Sequence, residues 1–479
     1  MARGKRKSGS GAARKARRER RNAMVGCDCT PKTGRSNPLG FSRTYGTLVP
    51  SRPTSRRAVE PQGRELVRKS RRVVITGLGV VAPNGIGKHA FWEALVAGKS
   101  GIDEITTFDP TPFPCRVAAE VKDFNPRDFM DNKNSRDLWR FSQFALASAQ
   151  MAIDDAKLIL DAKNRHKVAT CFGTCVNGFE RVEESYEAVR RDGYAGLDPL
   201  TCFQYSTHAP VSHVAIELGI RGPSMTLASG CSTGLDVIKW GYDQINEGSI
   251  EVAIVGSTEA PLSPLSFSTF CALGILAKPV SNPIRSSRPY DRTRDGLVLG
   301  EGGGALVLET LDGALDRGAP IYAEVTGYGV TSEALHLRKR DTTGNALADA
   351  IRIALHSNNL HASDIDYINA HGNSMQDNDR AETNAFKLAF GQGAYAIPIS
   401  SIKSMVGQPI AASGTLQAIS TALSISHGII PPTINYKTAD PHCDLDYVPN
   451  VARVSRIRHA LITAHALGGT HTVLALGRP

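Results

Sequence analysis

Residues 221–248 read RGPSMTLASGCSTGLDVIKWGYDQINEG, and this stretch decides how the rest of the chain is read. Cys231 sits among small residues, with Ser229 and Gly230 before it and Ser232, Thr233 and Gly234 after it. A helical pattern follows at once, with Leu235, Ile238 and Tyr242 on one face. The spacing predicts a tight turn that delivers the cysteine to a helix N-terminus. There the free amide hydrogens and the positive end of the helix dipole favour a thiolate, which makes the sulfur a nucleophile near neutral pH. The flanking glycines permit the turn and close backbone approach by a substrate. An isolated cysteine is more ordinarily a buried structural residue, so the surroundings must decide between the two.

Outward from this point the chain alternates short apolar runs with amphipathic segments, the pattern of an α/β protein with buried strands. RVVITGLGVV (72–81), KVATCFGT (167–174), EVAIVGS (251–257), ALVLET (305–310), IYAEVTGYG (321–329), DYINAHG (366–372) and TVLALG (472–477) read as strands. HAFWEALVAG (89–98) and FSQFALASAQMAIDDAKL (141–158) read as helices, with apolar residues recurring at three and four.

The 479 residues are 41% hydrophobic, enough for a sizeable core. No apolar run approaches the ~20 residues that span a bilayer, and the basic N-terminus lacks the apolar core of a secretory signal. The expectation is a cytoplasmic protein that binds neither membrane nor nucleic acid. Nine scattered cysteines, an odd number, argue against a disulfide framework and for a reducing compartment. Cys27-Asp28-Cys29 and the Cys171/Cys175 pair have no second ligand pair at metal-site spacing. Of the net charge of +10, residues 1–72 contribute +17, from 21 Lys and Arg against four Asp and Glu, which leaves −7 for the remainder. The basic segment has no apolar periodicity, so residues 1–71 are expected to be a disordered extension. A start site placed too far upstream, a transit peptide, and an arm for nucleic acid or acidic partners are all compatible with its composition.

Six segments carry a resemblance. VVITGLGVVAPNGIGKHAFWEALVAGKSGI, the cysteine segment itself, SRPYDRTRDGLVLGEGGGALVLE, INAHGNSMQDNDRAE, IKSMVGQPIAASGTLQAI, and PPTIN followed by CDLDYVP and ALGGTHT occur in that order. Together they resemble the β-ketoacyl-[acyl-carrier-protein] synthases over about 400 residues. The resemblance implies a five-layer αβαβα thiolase fold with two related halves, here 72–322 and 323–479, in a homodimer or a heterodimer with a similar subunit. It implies transfer of an acyl chain from an acyl carrier protein to Cys231, then decarboxylative Claisen condensation with a malonyl-carrier thioester. The substrates ride on the carrier's phosphopantetheine, and no cofactor of the enzyme's own is implied.

By the same resemblance, His371 matches a histidine that donates to the malonyl thioester oxygen, and Lys403 a lysine that orders the charges of the pocket. The amides of Cys231 and Leu467 are placed to hold an oxyanion, beside Gly468, Gly469 and Thr470. Asp291, Arg294, Asp295 and Glu301 are expected in structural ion pairs beneath the site, and residues 185–205 with the loop 464–469 along the acyl tunnel. Four departures stand out. Gln408 replaces a second histidine, and Gln417 replaces the lysine's glutamate partner. Asn373 and Met375 fall where hydroxyls usually contact the carrier arm. His465 and Leu467 stand in a loop that normally holds gating phenylalanines. An amide still donates an N–H to a developing enolate, but it carries no charge and relays no proton. Two other readings therefore stay open: acyl transfer to a hydroxyl or amine without decarboxylation, and a non-catalytic chain-length partner. Retention of Cys231, His371 and Lys403 argues against the latter.

Overall fold

The computed structural model describes residues 71–337 and 340–479. The expected extension, 1–71, lies outside the described residues except for Arg71. Ten strands and seven helices build the site and are numbered in chain order. The first five strands are β1 (Val73–Ala82), β2 (Val168–Gly173), β3 (Ser224–Leu227), β4 (Val252–Glu259) and β5 (Gly302–Thr310). The second five are β6 (Ala323–Ser332), β7 (Tyr367–Asn369), β8 (Ile399–Ser400), β9 (His459–His465) and β10 (Thr470–Gly477).

One connection scheme occurs twice. The first set is ordered β1-β5-β4-β2-β3 and the second β6-β10-β9-β7-β8. In each set the first strand pairs antiparallel with the fifth and the fifth antiparallel with the fourth, whereas the fourth, second and third run parallel. The sets are stitched into one sheet by a short antiparallel contact, Val74 with Glu324 and Ile75 with Ala323. All ten residues of β1 are buried, as expected of a strand covered on both faces.

Helices α1 (Arg140–Ala156) and α2 (Ala209–Leu218) cover the outer face of the first set, and α4 (Asn345–His356) and α5 (Gln376–Phe390) that of the second. Between the sets lie α3 (Thr233–Asn246) and α7 (Ala412–His427), and the four-residue helix α6 (Lys403–Val406) precedes α7. This is an αβαβα sandwich. The first 14 residues of α7 are all buried, so it is a middle-layer helix with no solvent face.

The two central helices cross backbone to backbone. A Cβ on Gly234 would stand 2.4 Å from the amide nitrogen of Thr415, and one on Gly414 would stand 2.7 Å from that of Leu235. Backbone cannot rotate away, so Gly234→Ala forces the helices apart. Denaturant titration should show a loss of about 1–3 kcal/mol or more, the usual cost of overpacking a dense core.

The expected strands and helices are present, with three additions. β3 is a partly exposed strand, β8 has two residues, and β9 begins and ends in histidine. Ala464 and His465, expected in a loop, instead end β9, because their register against Thr472 and His471 continues the ladder to the turn.

Candidate active site

Each half brings one part of the site to the same place in its own scheme, the connection after its third strand. After β3 the chain turns through Gly230–Ser232 into α3, and this turn carries Cys231. After β8 it enters α6, which begins at Lys403, then passes Gln408 and continues into α7 with Gln417. The close crossing of α3 and α7 brings these two connections together. Gly230 has φ +69°, and a Cβ there would lie 2.9 Å from that of Ala466, so only glycine lets the β9–β10 hairpin close over the cysteine.

Cys231 and Gln408 line one cavity of about 190 Å³. Its wall is mainly apolar, with Val176, Phe270, Ile275, Leu297, Leu299 and Ile410, while Arg340, Asn373, Met375, Asn378, His465 and Leu467 are among the residues that complete it. The other expected substrate contacts are not in this wall. Gly468 and Gly469, at φ +95° and +88°, form the turn between β9 and β10, and the Thr470 carbonyl accepts from the Ala466 amide at 2.9 Å to close it. Residues 185–205 also lie outside the wall, as part of the surface helix Phe179–Asp192 and the short turns after it.

His371 and Lys403 stand behind the wall, each 1% exposed. His371 Nδ1 accepts from the His465 amide at 3.2 Å. That nitrogen is therefore bare, and a neutral ring carries its hydrogen on Nε2, which is buried with no protein partner. Burial first, and then Lys403 and the neighbouring basic groups, hold the ring well below the usual histidine range. His371 is thus a neutral donor with a free N–H.

Lys403 Nζ donates to Gln417 Oε1 at 2.9 Å. The Gln417 amide nitrogen is directed at the carbonyls of Ala370, Thr463 and Asn369, at 3.0, 3.2 and 3.3 Å, which fixes which end faces the lysine. With a neutral partner only, burial pulls the Lys403 pKa down to about 8, against the raising effects of Glu382 and Cys231.

The thiol departs from expectation. Cys231 begins the turn into α3, but burial raises its pKa, which Lys403, Gln408 and Arg340 only partly counter. Desolvation outweighs the helix end, so the resting sulfur is a thiol. Both polar atoms of Gln408 are buried and make no hydrogen bond in the resting site. Its amide therefore acts on the anion once it forms and on no group before then.

The Lys403 shift has a signed consequence. Between its folded value of about 8 and its unfolded value of 10.5 the unfolded chain holds a proton that the folded one lacks, so stability rises with pH through that window. Relative to Lys403→Met, the wild type should gain roughly 2–3 kcal/mol from pH 8 to 10.5, measured by denaturant titration. Acylation of Cys231 should fall over the same range as the cation is lost.

Three buried carboxylates went unnoticed in the sequence. Glu382 accepts from the amides of His371 and Gly372 at 2.8 and 2.9 Å, the Tyr290 hydroxyl at 2.6 Å, the Thr463 hydroxyl, and His465 Nε2 at 3.0 Å. Glu259 accepts from the Thr174 hydroxyl and the amides of Val176, Asn177 and Ala411, which ties the cavity wall to the loop before α7. Glu333 accepts from His471. The residues expected in ion pairs do anchor the floor. Arg294 meets Asp440 at 2.6 Å and Asp379 at 3.3 Å, Asp295 meets Arg288 at 2.9 Å, and Glu301 meets Arg140 at 2.6 Å. Asp291 differs, binding the amides of Lys437 and Thr438, each at 2.7 Å.

A half-buried cysteine at a strand-to-helix turn, sharing an apolar cavity with an amide in a duplicated αβαβα sandwich, defines a thiolase-fold condensing enzyme. Residues 70–314 match the β-ketoacyl synthase N-terminal domain and residues 322–437 the C-terminal domain, so the chain belongs to the β-ketoacyl synthase family. It is 40% identical over 416 residues to the tetracenomycin polyketide synthase ketoacyl synthase alpha subunit of Streptomyces glaucescens, covering 85% of this chain and 97% of that one. It is 37% identical to a 3-oxoacyl-[acyl-carrier-protein] synthase 2 of Synechocystis, covering 85% and 98%. Among solved structures, the ishigamide ketosynthase/chain length factor aligns with TM-score 0.80 at 34% identity, covering 86% of this chain and all of that one. A ketosynthase bound to a hexaketide, in complex with its type II polyketide synthase acyl-carrier protein, aligns with TM-score 0.79 at 33% identity over the same shares. Among the described residues no helix is long and apolar enough to cross a membrane.

Proposed function

We propose that Cys231 takes an acyl chain from an acyl carrier protein and that the acyl-enzyme condenses with a malonyl-carrier thioester in polyketide or fatty-acid synthesis. The observation that carries this reading is the cavity itself. Its apolar wall suits an acyl chain, the sulfur and the unpartnered amide of Gln408 share it, and the free N–H of His371 lies buried behind it. Loading exchanges one thioester for another, and the carrier thiol leaves with the Cys231 proton. Malonyl then loses its carboxylate as carbon dioxide, and the electron pair of that bond becomes an enolate whose oxygen needs hydrogen-bond donors. The enolate carbon attacks the acyl carbon, the C–S bond breaks, and its electron pair returns to Cys231 as thiolate. Covalent loading divides one hard step into two easier ones.

His371 Nε2–H and the Gln408 amide are the donors assigned to the enolate oxygen, and the amides of Cys231 and Leu467 are assigned to the oxyanion of the attacked thioester. One such donor in a dry site stabilises a transition state by roughly 2.7–4 kcal/mol. Asn373, Met375 and the mouth of the hairpin are assigned to the carrier arm, and a homodimer or a pair with a ketosynthase-like subunit to the assembly.

Intact-mass analysis with a panel of acyl-carrier thioesters, with and without malonyl-carrier, tests the proposal. The expected result is acyl mass on Cys231, discharged with release of carbon dioxide when malonyl-carrier is added. Acylation without that release would favour transfer to a hydroxyl or amine.

A further inference from the structure

Beyond Cys231 and its donors lies a buried row of titratable groups that the condensation as described leaves unused. His465 ends β9 and His471 lies in β10, directly across the ladder. They are 3% and 4% exposed. His465 Nε2 meets Glu382 Oε1 at 3.0 Å, the two Nδ1 atoms meet at 2.9 Å, and His471 Nε2 meets Glu333 Oε1 at 2.9 Å.

Counting hydrogens along this row leads to a definite charge. Glu382 is surrounded by donors, two of them backbone amides that can only donate, and it is a carboxylate. Burial alone would raise its pKa, but His465, the Thr463 hydroxyl and the Tyr290 hydroxyl hold it at about 2. Both oxygens of Glu333 likewise face donors, Oε2 accepting from the Asp341 amide at 3.2 Å and Oε1 facing the Arg340 guanidinium at 3.7 Å. Both histidines therefore present Nε2–H outward to a carboxylate. A hydrogen bond between two Nδ1 atoms needs one hydrogen, so the two rings together carry three N–H hydrogens, one more than two neutral imidazoles hold.

We infer that His465 and His471 share this third proton as a buried imidazole–imidazolium pair whose single positive charge, presented to the cavity by His465, stabilises the negative charge that develops during condensation. Burial, His465 and Arg340 push His471 down to about 2, and of the two residues His465 is the one that lines the cavity. Its ring stacks edge-on against His371 at 4.8 Å between centroids, and its amide holds His371 Nδ1. The pair keeps its proton through the cycle. It adds to Arg340 a second cation on the wall, beside a Gln408 that has none, and a fixed charge in a water-poor site acts without reorganisation. The groups around it are His371 and Glu382 from the β7–α5 region, Glu333 and Arg340 after β6, Cys231 and Asp236 from the turn into α3 and α3 itself, and Lys403 from α6. The stabilising role rests on the proposed condensation, whereas the proton count stands without it.

The test uses the full chain labelled with ¹⁵N-histidine, with the two rings assigned from the signals lost in His465→Asn and His471→Asn. The expected result at pH 7 is three protonated ring nitrogens over the two residues, with one ring doubly protonated. Two neutral rings with one N–H each would overturn the inference. The kinetic arm uses His471→Phe, which leaves His465 Nδ1 no acceptor. Carbon dioxide release should fall about tenfold relative to acyl loading, and its high-pH limb should move to lower pH. An unchanged ratio and pH profile would overturn the electrostatic role. A wild-type chain that shows three protonated nitrogens but releases no carbon dioxide would instead count against the condensation.

Discussion

Cys231→Ala should fold as the wild type does and take up no acyl mass from any carrier thioester, with condensation reduced by roughly 10⁴-fold or more, the scale on which removal of a covalent nucleophile is felt. The side chain is small and partly buried, and removing one sulfur from a cavity that is already open costs little packing. Intact mass before and after acyl-carrier addition checks loading, and product formation with malonyl-carrier checks turnover. A variant that still forms product would assign the chemistry to a partner and leave this chain as a chain-length subunit.

The second large effect concerns stability. Glu382→Ala strands two backbone amides, two hydroxyls and the Nε2–H of His465 around an empty space. Removing one member of a buried charged cluster costs about 3–5 kcal/mol because the remaining groups are left unpaired, and urea titration at pH 7 should show a loss of this size. The carboxyl is held at about 2, below its ordinary 4.5. Its contribution is therefore complete above pH 4.5 and is lost as pH falls toward 2. The difference in stability between wild type and Glu382→Ala should narrow over that acid range and nowhere above it.

These residues also mark where sequence reading stops. The nucleophile was legible because a cysteine between small residues ahead of a 3.6-residue period has a specific geometric meaning. Lys403 and Gln408 were placed by the motif that carries them, although burial, not the helix end, turned out to control the thiol. Glu382 was quoted within its segment but passed over, since a glutamate on an amphipathic helix ordinarily faces water; only the fold shows α5 presenting it inward to five donors. His465 was read as part of a gate loop. Its partner, six residues away across a Gly-Gly turn, would have followed from treating HALGGTH as a hairpin that pairs its two ends. β8 has two residues, too few to show any period.

The contact between Gly234 and Gly414 also has a consequence for precision. Because α3 and α7 touch through their peptide backbones with no side chain between them, the two connections that carry Cys231 and Gln408 are held at one spacing that no change of rotamer can widen.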